Sequence, residues 1–398
     1  MSDLIGIASN AVGAYQRALG TVSNNIANVN TEGYSRQDVV LKDTSPSKAA
    51  NMFFGTGVAL QAVKRQFDAF AESNLRNSTS DLATQKPMVD YTKRVMDIMG
   101  DKSVGLSSAL DDFFGAANAL SADPASSVLR SSFLRSAEGV SSRFAELSGQ
   151  LGLVGTETNQ ALESTTKQVN TLTTQLALVN QNMASSSTED GQSAEILDRR
   201  DLLLRQLSDL VRIKASFDTN GSVNVALGST ATQGIVVSGM KSRSIGIDTS
   251  VVGKMELLLD PYGNSESLAS ASGGQLGGLQ TFINQVLEPA QKSLNFLAKT
   301  LVNETNKIQT NGIDGYGQTG QDLFVLDTAI EDEAAAIKVS LNDAMRVATA
   351  AQFRVTENQA NSSNTRASVS FVPSPTPLGI SNTSLVNNSN PSAGVTIK

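Results

Sequence analysis

The chain has 398 residues, of which 40% are hydrophobic and only 5% aromatic, and it contains no Trp. This length allows two or three domains, and the scarcity of aromatic residues favours elongated helical layers over one large aromatic core. The net charge of −7 argues against a nucleic-acid-binding protein. Cys and His are absent, which excludes disulfides, thiolate metal sites and Ser-His-Asp triads. The usual general base and the commonest metal ligand are therefore missing.

Conventional targeting signals are missing from the sequence. No run of apolar residues is long enough to span a bilayer, so we expect no membrane insertion. The N-terminus lacks a basic region followed by an apolar segment and a cleavage site. By these signals alone the protein would be cytoplasmic.

The first forty residues carry the clearest pattern. Apolar or small residues recur there at alternating spacings of three and four, which predicts a helix that packs against another helix. They are Leu4, Ala8, Ala11, Tyr15, Ala18, Val22, Ile26 and Val29. Asparagines cluster around Ile26, and because Asn disfavours helix interiors we interpret them as a polar face or a helix end held open for a partner. Gly33 predicts a helix stop and a turn.

The next elements follow from turn signals and periodicity. A weakly alternating run covers 35–42, and a strand is predicted over 58–63. A helix then begins near Phe67, kinks or restarts at Pro87 and closes near Gly100. Its apolar residues are Phe67, Phe70, Leu75, Leu82 and Val89. A shorter helix is predicted from Gly105 to Ala122.

A long helix is predicted to start at Asp123-Pro124, where Asp can cap free amides and Pro fits the first helical position. It continues to about Ser185. Its apolar stripe reads Val140, Phe144, Leu147, Leu151, Val154, Leu162, Thr165, Val169, Leu172, Leu176, Val179 and Met183. One extra four-residue step near Thr158 is a stutter, and neighbouring glycines make a bend or break there an expectation.

The helix predicted over 193–211 contains the charged run Ile196-Leu197-Asp198-Arg199-Arg200-Asp201-Leu202-Leu203. We interpret this run as structural. Asp201 and Arg205 are spaced as an i, i+4 pair, and the buried side is formed by Leu197, Leu204, Leu207 and Val211.

Beyond Val211 the apolar period becomes two, which predicts a small β insertion at about 212–260. Asn220-Gly221 lies between two alternating runs and indicates a hairpin. The predicted strands are 213–217, 223–227, 234–238, 244–247 and 254–259.

The glycine-rich stretch 272–279 does not match a phosphate-binding loop, and we interpret its glycines as permitting close helix packing. The helix that follows runs to about Gln309, with a kink at Pro289. In the last seventy residues, strands are predicted over 344–357 and 367–372, and prolines punctuate the tail.

The run Asn24-Asn25-Ile26-Ala27-Asn28, followed by Thr31-x-Gly33-Tyr34, resembles the N-terminal signature of the axial proteins of the bacterial flagellum. The adjoining Ser35-Arg36-Gln37 is most similar to the hook-associated proteins of the hook–filament junction. Similarity recurs in the segment 197–203 and over 273–324, so it covers most of residues 1–325 in order. Rod and hook subunits share the first motif alone.

The resemblance implies a structural protein that self-associates into a ring between hook and filament. On this basis we expect no enzyme activity, no cofactor and no metal. It implies contacts with the hook protein on one side and the second junction protein on the other. It further implies extracellular localisation through flagellar type III export, without a cleaved signal peptide, and an export chaperone. The residues expected at the assembly interface are Leu4, Ala8, Ala11, Tyr15, Ala18, Val22, Asn24, Asn25, Ile26, Asn28, Thr31, Gly33 and Tyr34.

The expected fold is mainly α with β insertions, an elongated long-helix bundle with a small β subdomain and the start of an outer β-domain. We divide the chain into an axial helix and motif at 1–34, a bundle domain at 35–325 and an incomplete outer domain at 326–398. In the resembled family the N-terminal helix packs against a C-terminal helix of the same chain. No such helix is predicted before Lys398, so we expect a fragment whose N-terminal helix is exposed and whose globular part begins after Tyr34.

Two other classes of protein stay open. A related rod or hook subunit would carry the first motif without the later segments in order. A secreted adhesin or enzyme would need a carboxylate or Ser/Lys site, and no such site is clustered in the sequence.

Overall fold

A computed structural model describes residues 2–49, 52–100, 105–185, 187–228, 230, 233–248, 256–268, 272–351, 353–357, 367–371 and 396–397. The fold is mainly α-helical with small, mostly antiparallel sheets, which confirms the predicted fold class. The helices are α1 Ser2–Ala27, α2 Ala69–Gly100, α3 Leu106–Ala122, α4 Ser127–Met183, α5 Ala194–Leu210, α6 Gly274–Phe282, α7 Glu288–Thr310 and α8 Glu333–Ala336. Short 3-10 turns cover Glu189–Gly191 and Ala344–Arg346.

The strands form small sheets between these helices. Their bounds are β1 Gln37–Asp43, β2 Ser47–Ala49, β3 Met52–Phe54, β4 Val58–Arg65, β5 Ile213–Phe217, β6 Val223–Leu227, β7 Ile235–Ser238, β8 Lys241–Ser242, β9 Ile245–Asp248, β10 Glu256–Leu259, β11 Glu266–Ser267, β12 Gly312–Ile313, β13 Phe324–Leu326, β14 Ile337–Val339, β15 Ala350–Ala351, β16 Phe353–Glu357, β17 Ala367–Phe371 and β18 Thr396–Ile397. Strand β1 pairs with β4, β2 with β3, β12 with β15 and β13 with β14. The larger sheets have the orders β5-β6-β7-β8, β11-β10-β9 and β16-β17-β18, in which only β17 and β18 run parallel.

The described chain separates into two compact units. The first unit contains residues 1–91 and 157–283, and the second contains 92–156 and 284–398. Both α2 and α4 contribute residues to each unit. The three-part division that the sequence suggests follows other criteria and stays a prediction.

Each unit has its own apolar core. The largest fully buried apolar side chains of the first unit are Leu162, Leu176, Met183, Leu203, Leu204, Leu207 and Phe282. In the second unit they are Phe144, Leu147, Leu151 and Phe324. Phe133 adds to the second core by stacking on Phe113, with 5.1 Å between the ring centroids.

Helix α4 buries the stripe predicted for it almost completely, from Val140 to Met183. Two details of that prediction are wrong. The helix begins at Ser127 after an N-terminal cap by Ser126, whose Oγ accepts from the Leu129 amide at 3.3 Å, so Asp123-Pro124 forms the preceding turn. The helix also continues without a break through Thr158, which is fully buried. The stutter coincides with the passage of α4 from one unit to the other.

The apolar residues of α2 do not form its packed side. Phe70, Leu75, Leu82 and Val89 are exposed, whereas the buried positions of α2 include Ala83 and Val95. The helix runs unbroken through Pro87. A Cβ at Gly278 of α6 would overlap the carbonyl oxygen of Thr84, so the glycine-rich stretch serves close packing, as predicted.

The β insertion has the predicted hairpin, in which β5 and β6 pair from Phe217↔Val223 to Ile213↔Leu227. A π-helical turn over Ile283–Leu287 separates α6 from α7 directly before Pro289, where the sequence predicts a kink. In the last part of the chain β16 and β17 lie within the predicted strands, but the strand predicted from 344 is wrong at its start, because Asp343 caps a 3-10 turn over Ala344–Arg346. The prolines after β17 lie outside the described residues.

Candidate assembly interface

Helix α1 packs on the sheet formed by β1 and β4. The helix positions turned inward are Ile7, Ala11, Ala14, Ala18 and Thr21, of which Ala14 is fully buried. The expectation that the globular part begins only after Tyr34 is therefore wrong. Small side chains on this face let the helix approach the two strands closely.

A second face of α1 and the turn after it present a continuous apolar row to solvent. Its large members are between 51% and 75% exposed, and their spacings of three and four follow a heptad pattern. The row, called the outer row below, consists of Ile5, Ala8, Val12, Tyr15, Leu19, Val22, Ile26 and Val29. Such a row on one helix face is the geometry that a partner helix covers.

The structure distributes the predicted seam over both faces. Ala11 and Ala18 face the sheet, whereas Ala8, Tyr15, Val22 and Ile26 belong to the outer row. Leu4 lies in α1, and its side chain is outside the described part. Sequence reasoning missed Ile5, Val12 and Leu19, although their spacing of seven residues is a signal that could have found them.

Asn25 fastens the end of α1 to the start of β1. Its Oδ1 accepts hydrogen bonds from the Tyr34 hydroxyl at 2.8 Å and from the Gln37 amide at 2.9 Å, and its Nδ2 donates to the Gln37 carbonyl at 2.8 Å. The side chain thus satisfies both backbone groups of Gln37. This contact fixes the angle between helix and strand.

The neighbouring polar residues close the turn that follows α1. Asn28 Nδ2 donates to the Asn24 carbonyl at 3.0 Å and to Asn24 Oδ1 at 2.9 Å. Thr31 Oγ1 donates to Asn28 Oδ1 at 3.2 Å, and Asn24 Nδ2 donates to the Tyr34 hydroxyl at 3.3 Å. These residues therefore form one intramolecular hydrogen-bonded group.

Gly33 brings this turn against α5. Its φ of +82° favours glycine, and a Cβ there would lie 3.1 Å from Leu202 Cβ. The amide of Ser35 donates to Asp198 Oδ2 at 3.2 Å. Beside this contact, a groove of about 720 Å³ lies between the turn and α5.

The charged run of α5 forms an ionic group with Arg65 and Glu189, which is buried except at Glu189; its members on α5 are Asp198, Arg200 and Asp201. Arg65 Nη2 is 2.5 Å from Asp201 Oδ2, and Arg65 Nε is 3.0 Å from Asp198 Oδ1. Arg200 Nε is 2.9 Å from Asp201 Oδ1, and its Nη1 is 3.2 Å from Glu189 Oε1. The run therefore has a structural role.

The predicted pairing of Asp201 with Arg205 is wrong. Arg205 instead forms a two-pronged ion pair with Glu72 of α2, and this hydrogen-bonded carboxylate raises the pKa of Arg205. Arg76, which is buried nearby, has its pKa lowered mainly by burial. The i, i+4 spacing describes partners on an exposed helix face, whereas Asp201 points into the protein.

Within the described residues, no three His, Cys, Asp or Glu side chains are grouped so that they could hold a metal ion. Among the helices that the structure describes, none combines the length and apolar character needed to cross a membrane.

Comparisons with known proteins point to one family. A family model described as "Flagellar hook-associated protein FlgK helical domain" matches residues 92–324, and one described as "Flagella basal body rod protein" matches residues 5–34. The second match contains the outer row and the turn after it.

Curated relatives carry the name "Flagellar hook-associated protein 1". The protein of Salmonella typhimurium strain LT2 is 29% identical over 338 residues, which is 83% of this chain and 60% of the relative. The Escherichia coli K12 protein is 27% identical over 82% of this chain and 60% of its own length. The Bacillus subtilis 168 protein is 27% identical over 85% of this chain and 76% of its own length.

A solved structure supports the fold. The flagellar hook junction protein FlgK of Burkholderia pseudomallei has a TM-score of 0.55 and 24% identity, with 64% of this chain and 46% of that chain covered. This chain spans 60% of the length of the Salmonella relative. The helical-domain match covers more than half of the sequence, and the chain therefore belongs to the flagellar hook-associated protein FlgK family.

Proposed function

We propose that this protein is a structural component of the bacterial flagellum that joins the hook to the filament. The observation that carries the proposal is the outer row, because a row of large apolar side chains on one helix face is exposed to water in the single chain. Covering such a face is favourable, by about 25 cal/mol for each Å² of apolar surface removed from water. Family membership supplies the context in which a partner helix would cover it.

The assembly interface in this proposal comprises the outer row and the turn after α1. Apolar side chains such as Tyr15, Val22 and Ile26 make the contacts with neighbouring subunits. Asn25 and Tyr34 act by holding α1 at a fixed angle to β1. Leu4, Ala8, Ala11, Ala18, Asn24, Asn28, Thr31 and Gly33 complete the predicted interface.

The proposed assembly is a ring of subunits with the hook protein on one side and the second junction protein on the other. Subunits reach this place by flagellar export with the N-terminus uncleaved, with the help of an export chaperone, and function outside the cell. Residues 1–34 act as the axial part, 35–325 as the bundle and 326–398 as the beginning of an outer domain. The proposal includes no catalytic step and no cofactor.

Deletion of the gene tests the proposal. Mutant cells should form hooks that carry no filaments and should release flagellin into the medium, as seen by electron microscopy and by immunoblotting of culture supernatants. Normal filaments on the mutant would rule out a junction role. Missing hooks would instead favour a rod or hook subunit, an alternative to which the rod-protein match at 5–34 is relevant.

A pair of variants tests the outer row itself. Val12→Glu combined with Leu19→Glu places two charges in the row, whereas the control Gln16→Glu places one at an exposed polar position of the same helix. The double variant should fail to restore filaments in the deletion strain, and the control should restore them. Circular dichroism should show equal helix content in both. Full restoration by the double variant would contradict the proposed interface.

A further inference from the structure

The N-terminal segment, defined as residues 2–66, has very little apolar core of its own. Among its described side chains, Ala14 is the one hydrophobic residue that is fully buried. Strands β1 and β4 are half-buried at most positions. A segment this long needs substantial burial to offset its conformational entropy, so contacts with the rest of the first unit must hold it in place.

Charged and polar groups make contacts between the N-terminal segment and α5. Arg65, the last residue of β4, has a side chain that is only 6% exposed and lies against two carboxylates of α5. Ser35, before β1, donates its amide to Asp198 and accepts from Arg65 Nη2 at 3.3 Å. The start of β1 and the end of β4, which are neighbours in the antiparallel pair, thus meet at Asp198 and Asp201.

Asp201 also connects the segment to the β insertion. Its second oxygen accepts from Arg200 Nε at 2.9 Å, and Arg200 Nη1 donates to the Gly221 carbonyl in the β5–β6 turn at 2.7 Å. The guanidinium of Arg200 lies 4.6 Å from the ring centroid of Phe217. One carboxylate is therefore shared between the N-terminal segment and the body of the unit.

Keeping these ion pairs intact and removing one partner have very unequal effects on the free energy of folding. A buried ion pair adds little net stability when it is intact, because both charges lose their hydration. Removal of one partner leaves the other charge buried without compensation, which is severely unfavourable. The segment can relieve that penalty by leaving its position, which returns Arg65 to water.

We propose that Asp198 and Asp201 form a latch that seats the N-terminal segment on α5. Loss of the latch charge releases the segment as a unit, while the apolar core around Leu203, Leu204 and Leu207 keeps the body folded. The latch is therefore a positioning device for α1. By fixing α1, the latch fixes the direction in which the outer row faces. The consequence of this for assembly rests on the proposed function.

Amide hydrogen exchange on the full chain tests the latch without any assembly. In Asp201→Asn, exchange in α1 and β4 should accelerate at least about tenfold, because one partner of a buried pair is lost. Exchange in α5 and in β5–β7 should accelerate clearly less than exchange in α1 and β4, because Arg200 keeps Glu189 and the Gly221 carbonyl as partners. The matched control is Asp209→Asn on the same helix, whose carboxylate accepts from Gln275 and does not contact the segment. It should leave α1 unchanged.

A second variant keeps the test interpretable if Asp201→Asn loses its fold. Arg65→Lys retains the charge but cannot span both carboxylates with a planar fork, so α1 should show an intermediate acceleration. Equal acceleration of α1 and β5–β7 in both variants would overturn the latch, and so would an unchanged α1. Failure of the junction role in cells would leave this exchange pattern intact, which separates the two ideas.

Discussion

Four asparagines in helices each hydrogen-bond to an extended segment through both the oxygen and the nitrogen of the side-chain amide. Asn25 does so at Gln37, Asn170 at Ile245, Asn180 at Val223 and Asn306 at Phe324; each accepts from the backbone N–H and donates to the backbone C=O of that one residue. A side-chain amide offers the same donor and acceptor as a peptide group, so each Asn acts as a short piece of neighbouring strand. This explains why Asn is tolerated in helices where it would otherwise be unfavourable.

Asn180→Ala should lower the free energy of unfolding by roughly 3 kcal/mol, because the buried backbone groups of Val223 and the carbonyl of Gly239 lose their partner. Urea denaturation followed by circular dichroism measures the change. Asn182→Ala, at an exposed position of the same helix, is the control and should change stability little. Equal effects of the two substitutions would contradict the bridging role of Asn180.

Two glycine-to-alanine substitutions in the N-terminal segment should have opposite effects on stability, because only one of the glycines has a positive φ and a close neighbour. Gly33→Ala should destabilise the protein by about 1–3 kcal/mol, because φ is positive and the new Cβ meets Leu202. Gly6→Ala lies in α1 with no atom within 4 Å of its Cβ and should stabilise by about 0.5–1 kcal/mol through helix propensity. Thermal unfolding measures both. A stabilising Gly33→Ala would show that the turn does not depend on this conformation.

Sequence reasoning at this scale succeeds for local contacts and fails for distant ones. The Asn220-Gly221 hairpin depends on adjacent residues and is predicted correctly. One ion-pair partner of Asp201, Arg65, lies 136 residues away, and no local spacing identifies it. The roles of Asn25 and Tyr34 share this limit, because their hydrogen bonds depend on where β1 returns to α1.

At the scale of elements, a comparison of α4 with α1 shows when apolar periodicity is sufficient to predict the buried side of a helix. One face of α4 is apolar and the other polar, so its stripe and its burial agree. In α1 apolar residues are spread around much of the helix, and two stripes can be drawn through it. Side-chain size helps to separate the two stripes, since Ala11, Ala14 and Ala18 face the sheet whereas Ile5, Val12 and Leu19 face outward. A pattern that counts Ala and Leu equally cannot make that distinction.

The 3-10 turn Ala344–Arg346 has a cap that responds to pH. Asp343 accepts from the Met345 amide and from the Tyr316 hydroxyl, and these hydrogen bonds lower the pKa of Asp343 and raise the pKa of Tyr316. A lowered carboxyl pKa stabilises the fold above 3.8, and this contribution is lost as the pH falls through the lowered pKa. A raised tyrosine pKa contributes below 10.0 and is lost as the pH rises through the raised value.

Tyr316→Phe should therefore lower the melting temperature near neutral pH, and the difference from the wild type should shrink at both extremes. Thermal unfolding at a series of pH values between about 2 and 11 measures the effect. A difference that is the same at every pH would mean that the hydroxyl does not interact with the Asp343 carboxylate. Tyr262→Phe, at a fully exposed tyrosine, is the control and should show no difference.

At the scale of the whole molecule, each compact unit is built from two distant stretches of chain. The sequence predicts the helices and the β insertion but does not reveal this division, because the two cores share α2 and α4. Only the stutter near Thr158 marks it. No linker accompanies the boundary at 156–157, since α4 is continuous there.

Core substitutions should act mainly within their own unit. Leu203→Ala in the first unit and Phe133→Ala in the second should each cost about 3–4 kcal/mol, because both side chains are buried. Amide exchange should accelerate in β5–β7 for the first variant and in β13–β14 for the second. Acceleration of both sheets by either variant would show that the two cores unfold as one.

The long separation between the N-terminal segment and its anchor has a consequence for the order of events during synthesis. Arg65 is made 136 residues before Asp201, so the segment emerges from the ribosome long before the helix that holds it exists. Closing so large a loop is entropically unfavourable until the core of the first unit has formed. The part of the chain that is made first must thus wait for α5 before it reaches its final position, and a free, unseated outer row is a normal stage in the life of every newly made molecule.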